Sequence, residues 1–203
     1  LVVLEILNQY DNIKIIGFTD TNYKKGQSYR SYPILGNDDI LNNIINNKKA
    51  KYAFITVGST GDNSLRKKLF DKIVNLGYKS LNIIDRSSNI ADNSIFGKGN
   101  LVSSGVNINP DVEIGNNNII NTGAIIEHGC KIGDHTHLAP GSILAGNVEV
   151  GDLSHIGLGA KIIEGIKIGK NSLIGAGSVI IDDIPDNSVV VGNPGRIIHK
   201  KGD

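Results

Sequence analysis

The residues best suited to acid–base chemistry are histidines in the second half of the chain. His128 follows directly after Glu127, His137 lies nine residues further on, and His155 lies eighteen residues after His137. An imidazole suits proton transfer because its ordinary pKa is close to neutral pH. We therefore take His128, with the neighbouring Glu127 carboxylate, as the first candidate for a catalytic pair.

These histidines belong to a sequence repeat of six residues. An aliphatic residue stands at nearly every sixth position from Ile90 to Ile180, and a small or β-branched residue such as Ala124 or Ser154 often stands four places later. A period of six fits neither an α-helix nor a flat strand, but it fits a coil of three short strands with a corner after each. We predict stacked coils of about eighteen residues each, with both of these positions facing a narrow interior.

The coil geometry relates the candidate residues to one another. Residues eighteen apart stack on successive coils, so Gly146 should lie one coil above His128, and His155 one coil above His137. If each six-residue unit begins at its aliphatic residue, His128 is the third residue of its unit and should face outward. His137 is half a coil away, across the cross-section of the rod, so only a neighbouring subunit could bring the two histidines into one cleft.

Composition excludes several classes of function. The chain has 203 residues, is 39% hydrophobic and 20% charged, and has a formal net charge of +1. This balance gives no sign of nucleic-acid binding or of attraction to an acidic membrane surface. No stretch is long enough to span a bilayer and no signal peptide is visible, so a cytoplasmic location is expected. Cys130 falls at an interior place and is expected to be a core residue.

The first ninety residues have a different pattern, in which helices and apolar strands alternate. The pattern predicts helices at residues 1–10, 37–47 and 63–77, and strands at residues 12–18, 53–58 and 79–84. The helix at 63–77 should turn Leu65, Leu69, Ile73 and Leu76 inward. Strands that are apolar throughout favour a small parallel sheet of nucleotide-binding type. We therefore predict an α/β domain at 1–86 and an all-β coil domain at 87–203.

Ligands of parallel α/β sheets bind at the carboxyl ends of the strands. The first predicted strand here ends at Asp20 and Thr21, and the second ends in a loop from Gly58 to Asn63. A carboxylate at such an end can accept a ribose or base hydrogen bond, and a glycine lets a ligand approach the backbone. These four residues are the predicted substrate-binding residues, with ordinary turns as the alternative.

The chain resembles a known family at several of these motifs. The N-terminal pattern, the tract IIEHGCKIGDHTHLAPGSILAGNVEVGD and the ending DDIPDNSVVVGNPGRII are similar to the NeuD/PglD-type bacterial sugar acetyltransferases. The resemblance covers essentially the whole chain. It implies a Rossmann-like domain that binds a sugar or nucleotide-sugar, followed by a left-handed parallel β-helix. Family members begin with a further strand and a glycine loop, so the chain resembles a member without that segment.

The resemblance also implies roles for individual residues. It makes His128 the general base, which takes a proton from the acceptor as the acceptor attacks the acetyl carbonyl, and it assigns the developing oxyanion to the backbone N–H of Gly146. Many relatives carry an acidic residue where this chain has Gly129. In their place Glu127, or another carboxylate such as Asp134, is expected to orient the imidazole, or else the base is less strongly tuned.

The cofactor and the assembly follow from the same resemblance. It implies a homotrimer that holds acetyl-CoA between neighbouring β-helices, with His137 near the thioester, Ala176 near the pantetheine arm and Pro194 near the far end of the coenzyme. Outward aliphatic residues also favour association. These are Ile119, Ile125, Ile143 and Ile163.

Three functions are compatible with the sequence. We expect N-acetylation of the amino group of a UDP-linked amino-dideoxy sugar, with O-acetylation of sialic acid or a related sugar as the alternative. A trimeric β-helix without catalytic activity is the third possibility. No metal is expected, because the histidine spacing lacks the close pair found in the γ-type carbonic anhydrases, which bind zinc on a similar fold.

Overall fold

A computed structural model describes residues 1–201 and divides them into an α/β part and a parallel β-helix. The α/β part consists of α1 (Val2–Leu7), β1 (Phe18–Thr19), β2 (Ser28–Tyr29), β3 (Tyr32–Gly36), a 3₁₀ helix (Asp38–Ile40), α2 (Leu41–Asn46) and α3 (Ser64–Asn75). Asn37 caps the 3₁₀ helix by accepting a hydrogen bond from the Asp39 backbone N–H at 3.1 Å, which agrees with the predicted start of that helix.

The predicted parallel sheet is only partly formed. The three strands of the α/β part pair in the order β1-β3-β2, with β1 parallel and β2 antiparallel to β3. The expected strand at 12–18 is reduced to Phe18–Thr19, and residues 53–58 form no strand. The apolar residue Ile55 of that segment is nevertheless buried in the core of the α/β part. The apolar pattern therefore predicted the burial of Ile55 correctly, but Val57 is 40% exposed and the segment forms no strand.

The helices of the α/β part are close to the prediction, but the buried side of α3 differs from it. Leu65 is 54% exposed, whereas Arg66, Phe70 and Ile73 are buried. The expectation that Leu65 points inward was wrong. The other three predicted residues do face the core: Ile73 is buried, and Leu69 and Leu76 pack against the same cluster. In the first turn of α3, Arg66 is buried instead of Leu65.

The β-helix is built from three sheets, which we call faces A, B and C. Face A contains β4 (Ile83–Ile84), β7 (Leu101–Val102), β10 (Ile119–Ile120), β13 (His137–Leu138), β16 (His155–Ile156), β19 (Leu173–Ile174) and β21 (Ser188–Val191), with β22 (Arg196–Lys200) antiparallel at its end. Face B contains β5 (Asn89–Ile90), β8 (Asn107–Ile108), β11 (Ile125–Ile126), β14 (Ile143–Leu144), β17 (Lys161–Ile162) and β20 (Val179–Ile180). Face C contains β6 (Ile95–Phe96), β9 (Glu113–Ile114), β12 (Lys131–Ile132), β15 (Glu149–Val150) and β18 (Lys167–Ile168).

The interior of the β-helix is filled by the two positions that the repeat predicts. Parallel pairing joins residues eighteen apart, as in Ile126 with Leu144 and Leu138 with Ile156. The aliphatic residues at every sixth position form one continuous buried cluster. The small residues four places later, such as Ala124, are buried with them. The predicted coils and their inward residues are confirmed. The first strand of the β-helix, β4, begins at Ile83, slightly before the expected boundary at residue 87.

The α/β part covers face A. On α1, Val3 and Ile6 pack with the outward side chains Ile83, Leu101 and Ile119 of that face. Ile119 is consequently only 5% exposed and is not available for subunit association, so that part of the expectation was wrong. Within residues 1–201, the structure contains no helix with both the length and the apolar character needed to cross a membrane.

Candidate functional site

A cavity of about 650 Å³ lies between the α/β part and face A. One wall comes from β1 and the residue after it, and a second comes from residues 55–60. The floor consists of the outward side chains of face A, and it includes Asn121 and His137. Clefts between two structural units that combine apolar walls with a few polar groups are common ligand sites.

Only two of the four predicted substrate-binding residues line this cavity. Asp20 and Gly58 line the cavity, and the Cα of Gly58 faces open space. Thr21 is exposed and does not line it. Asn63 is 2% exposed, and its side-chain amide donates to the backbone oxygens of Leu153 and Ser154, at 3.1 and 3.0 Å. Asn63 therefore holds the loop on the β-helix and has no donor left for a ligand.

His137 and His155 fasten the loop that the sequence singled out. The His137 Nδ1 atom lies 2.9 Å from the hydroxyl and 3.2 Å from the backbone oxygen of Ser59, and its Nε2 atom lies 3.2 Å from the amide nitrogen of Asn121. His155 Nδ1 accepts from the Gly61 N–H at 3.3 Å. These partners suit neutral rings, with the His137 proton on Nδ1. His137 thus faces the cavity of its own chain.

Burial beside another imidazole opposes protonation of His137. Its ring is 4.7 Å from the His155 ring and only 7% of the residue is exposed. Burial and the nearby His155 lower the pKa of His137 to about 4, and burial also lowers the pKa of His155. The contact between loop and coils therefore depends on keeping both imidazoles neutral.

We expect this contact to weaken in acid. Between pH 6.5, the ordinary value, and about pH 4, the unfolded state binds a proton at residue 137 that the folded state does not bind. The free energy of unfolding should therefore fall as pH decreases through this window. Tm measured between pH 7.5 and 4.5 should fall more steeply for the wild type than for His137→Gln. His199→Gln, in the exposed strand β22, is the control and should follow the wild type. Parallel curves for all three proteins would contradict this assignment.

His128 lies at the corner between faces B and C. It stands in the turn that links β11 to β12, and 60% of its side chain is exposed. The Glu127 Oε2 atom is 3.9 Å from His128 Nδ1, and it accepts a 2.7 Å hydrogen bond from the amide of Asn109, one coil below. The carboxylate is thus held next to the imidazole without a direct hydrogen bond to it. Asn109 is a site residue that sequence reasoning missed.

Gly146 lies one coil above His128, as the period of eighteen predicts. A β-carbon at Gly146 would lie 2.7 Å from both Cε1 and Nε2 of the imidazole, so the ring packs directly over the glycine. Among residues 1–201 the backbone N–H of Gly146 donates to no backbone or side-chain acceptor, whereas its carbonyl accepts from Gly165. A free N–H beside a free imidazole is an arrangement that can receive an oxyanion while a base takes up a proton.

At Gly129, where the family resemblance led us to expect an acidic residue, the backbone conformation favours glycine. Its φ is +69°, and a β-carbon there would lie within 2.3 Å of the Asn147 side-chain oxygen. An acidic side chain would not fit this corner without rearrangement. Asp134, the alternative carboxylate, is at the next corner and accepts hydrogen bonds from Asn116. Of the two carboxylates considered, Glu127 is the one beside His128.

The cavity and His128 lie on opposite sides of the β-helix. The chain runs from face A to face B to face C in each coil, so the corner between faces B and C is opposite face A. His137 is on face A and His128 is at that opposite corner. One chain therefore cannot bring its own cavity and its own imidazole to the same ligand, as the half-coil spacing of the two histidines indicated.

The other predicted coenzyme-binding residues lie at the corner of the β-helix between faces A and B. Ala176 is exposed at the corner between faces A and B, in the turn from β19 to β20. Pro194 is exposed in the turn from β21 to β22 and follows a cis peptide bond. That turn packs over the same corner, because the backbone N–H of Gly195 donates to the Val179 carbonyl. Ala176 and Pro194 share an edge of the β-helix that does not contain His128.

Cys130 is part of the core. It is fully buried, its thiol donates to the Ala145 carbonyl at 3.1 Å, and burial raises its pKa to about 11. A thiol in this setting is a poor nucleophile. In the part of the chain that the structure describes, no group of three or more histidine, cysteine, aspartate or glutamate side chains is placed to hold a metal ion.

Two family models match the chain. The PglD N-terminal domain matches residues 1–73, and the bacterial transferase hexapeptide repeat matches residues 111–146. The two matches fall on the α/β part and on the β-helix coils that carry His128 and Gly146. A search of curated proteins found no match.

Solved structures match over nearly the full length. A point mutant of perosamine N-acetyltransferase from Caulobacter crescentus, in complex with CoA and GDP-perosamine, is 35% identical with a TM-score of 0.90, and the match covers 100% of this chain and 91% of that one. The acetyltransferase domain of PglB from Neisseria gonorrhoeae, in complex with acetyl coenzyme A, is 29% identical with a TM-score of 0.85 over 97% and 93% of the two chains. WeeI from Acinetobacter baumannii is 26% identical with a TM-score of 0.79 over 95% and 91%.

Proposed function

Because the chain belongs to the NeuD/PglD-type sugar acetyltransferases, which use acetyl-CoA and carry hexapeptide repeats, we propose that it N-acetylates a nucleotide-activated amino sugar. The proposed acceptor is the amino group of a UDP-linked amino-dideoxy sugar used in bacterial surface glycans. The observation that carries the proposal is the exposed corner where His128 packs over Gly146 beside Glu127. An imidazole and a free backbone N–H at one open corner can serve the two needs of acyl transfer.

The reaction needs no covalent enzyme intermediate. The acceptor amine attacks the thioester carbonyl carbon, and a carbon–nitrogen bond forms while the carbonyl oxygen becomes an oxyanion. The Gly146 N–H donates to that oxyanion, and His128 removes a proton from the nitrogen. Collapse of the intermediate breaks the carbon–sulfur bond and releases the CoA thiolate, which receives the proton. The products are the acetamido sugar and CoA.

In this proposal the acceptor cavity holds the nucleotide-sugar. Asp20 would accept from the nucleoside, and Gly58 would let the ligand approach the backbone. His137, which the sequence resemblance placed near the thioester, is part of the cavity floor. In this proposal it would contact the acceptor. Ala176 and Pro194 remain candidates for contact with acetyl-CoA, at the edge of the β-helix away from His128.

An acceptor screen tests this function. The protein is incubated with acetyl-CoA and one acceptor at a time, and the released thiol is measured. The acceptors are UDP-, GDP- and dTDP-linked 4-amino-4,6-dideoxy sugars and free sialic acid. Turnover with a UDP-linked amino sugar is expected. The GDP-linked sugar is the second candidate, because the 35% identical relative was crystallised with GDP-perosamine. Thiol release with sialic acid alone would favour O-acetylation, and release with none would favour a β-helix without catalytic activity.

A homotrimer is part of the proposal because the site is incomplete in one chain. Face A is covered by the α/β part, and face C carries a ladder of alternating charges, with ion pairs Lys131–Glu113 and Lys167–Glu149 at 3.5 and 3.4 Å. The outward row of face B also contains Asn107 and Lys161, but its centre is the apolar pair Ile125 and Ile143. Such an apolar centre is a better contact for a second copy than a solvated charge ladder.

Ile143→Glu should dissociate the trimer without unfolding the coils. Position 143 pairs with Lys161 on the next coil, so the new carboxylate would repeat the Glu–Lys pairing already present on face C. In the trimer, however, this carboxylate would be buried in an apolar contact, and the cost of removing it from water opposes association even beside Lys161. Light scattering after size exclusion should give a trimer for the wild type and a monomer for the variant, with loss of turnover. Glu113→Gln on face C is the control and should remain trimeric. A trimeric Ile143→Glu would mean that face B is not the interface.

A further inference from the structure

The segment 55–59 forms one wall of the cavity and pairs with no strand in the part of the chain that the structure describes. Within residues 1–201, none of its backbone groups makes a hydrogen bond to another backbone group. Ile55 is buried within this segment, and a buried carbonyl without a partner is costly. The segment therefore needs a partner for it outside a sheet. Its hydrogen bonds come from side chains instead, and most come from Arg66 on α3.

Arg66 is an unusual residue because its charge is buried, and no acidic side chain of the described residues pairs with it. It is 3% exposed, and no ion pair within residues 1–201 includes it. Burial lowers the pKa of Arg66 to about 10, which still leaves the guanidinium charged at neutral pH. Its position near the first turn of α3 adds to the cost, because a helix N-terminus repels a cation. A charge kept at such a cost needs strong hydrogen bonds in return.

The guanidinium obtains these bonds from the cavity wall and from the β-helix. One terminal nitrogen donates to the backbone oxygens of Ile55 (3.0 Å) and Val57. The other donates to the side-chain oxygen of Asn117 at 2.9 Å, and the Asn117 amide donates back to the Arg66 carbonyl at 3.3 Å. The side chain therefore ties the wall to the corner of the β-helix between faces C and A.

The carbonyls of Ile55 and Val57 that Arg66 binds are two residues apart, as they would be along the edge of a strand. In extended backbone, residues i and i+2 direct their polar groups to one edge, and the residue between them directs its groups to the other. Arg66 binds Ile55 and Val57 along one edge, in the way that a neighbouring strand would. The polar groups of Thr56 and Gly58 are left to the opposite edge, and both residues line the cavity.

We propose that Arg66 is a positioning residue for acceptor binding: it takes the place of a strand along Ile55–Val57 and so fixes the backbone groups of Thr56 and Gly58 that face the acceptor. The role in acceptor binding rests on the proposed function, whereas the role in holding the segment does not. Arg66 touches no reacting group, so its loss should affect acceptor binding more than the chemical step. A lysine cannot replace it, since an ammonium group lacks the planar fork that reaches several oxygens together.

Two measurements on Arg66→Ala and Arg66→Lys test the proposal, with Lys68→Ala on the exposed side of α3 as the control. The first is a methyl NMR spectrum of the full chain labelled at isoleucine, leucine and valine. The Ile55 and Val57 signals should shift or broaden in both Arg66 variants and stay in place in Lys68→Ala. Signals of Ile126 and Leu144 in the coils should not change in any variant. Added guanidinium ion should return the Arg66→Ala signals toward the wild-type positions.

The second measurement is the KM for the amino sugar that the wild-type protein acetylates in the screen. KM for this acceptor should rise roughly 10- to 100-fold in both variants, the effect expected when hydrogen bonds to buried oxygens are lost. The kcat and the KM for acetyl-CoA should change little. Unchanged Ile55 and Val57 signals would overturn the proposal, and so would shifted signals with an unchanged acceptor KM. If the wild type acetylates no acceptor, the proposed function fails, while the methyl spectra still decide whether Arg66 holds the segment.

Discussion

His128→Ala is expected to lower kcat by roughly 10²–10⁴-fold, the range that a positioned general base contributes. The imidazole is the proton acceptor at the exposed corner, and the Glu127 carboxylate lies 3.9 Å from its Nδ1 atom. Because His128 is exposed and packs over Gly146 without a core contact, its removal should not disturb the coils. Initial rates of thiol release, measured at saturating acetyl-CoA and acceptor, give the comparison.

Two controls separate a loss of chemistry from a loss of binding or folding. Calorimetry with CoA should give nearly the same affinity for His128→Ala and the wild type, and the thermal transitions should coincide. His199→Ala removes an exposed histidine of β22, outside the proposed site, and should keep wild-type turnover. Wild-type turnover in His128→Ala would exclude it as the base.

Gly146→Ala is expected to reduce kcat by about 10²-fold or more, since a misplacement of about 1 Å at a reacting group has that effect. The new β-carbon would lie 2.7 Å from two atoms of the His128 ring, which must move away. The φ of Gly146 is not in the left-handed region, so alanine fits the backbone there. Because the exposed imidazole can move without disturbing the core, we expect unchanged Tm and a specific loss of turnover.

A double mutant tests whether Gly146 acts through His128. If the methyl group harms catalysis only by displacing the imidazole, the variant carrying both His128→Ala and Gly146→Ala should be about as slow as His128→Ala alone. Ordinary additivity of the two losses would show that the glycine acts independently, for example through the oxyanion contact of its N–H. A fully active Gly146→Ala would contradict the geometry of this corner.

Much of the β-helix could be predicted from the sequence, because its inside and outside depend on local order alone. The aliphatic residue that begins each six-residue unit, such as Ile126, points inward independently of the rest of the fold. The length of a coil determines which residues stack. That is why His128, Gly146 and their stacking, and the position of His137 half a coil away, could be derived by counting. The buried Cys130 followed from the same count.

The covering of the outward residues was decided only by the tertiary structure. Ile119 and His137 have the same outward position in the repeat as Ile125, yet they are buried because α1 and the Ser59–Gly61 loop pack on face A. The apolar contacts and hydrogen bonds responsible join residues far apart in sequence, and no local pattern encodes them.

Arg66 and Asn63 show the same limit in the α/β part. Helical periodicity placed Leu65 inward and did not predict that Arg66 is buried. The fold reversed this, because the carbonyls of Ile55 and Val57 and the Asn117 side chain together satisfy the buried guanidinium. Asn63 was predicted at a ligand and instead holds the β-helix. The sequence by itself determined which residues each coil turns inward or outward, since that depends on neighbours within one turn. Only the tertiary structure decided which outward groups remain free for a ligand, since burial depends on segments that meet from distant parts of the chain.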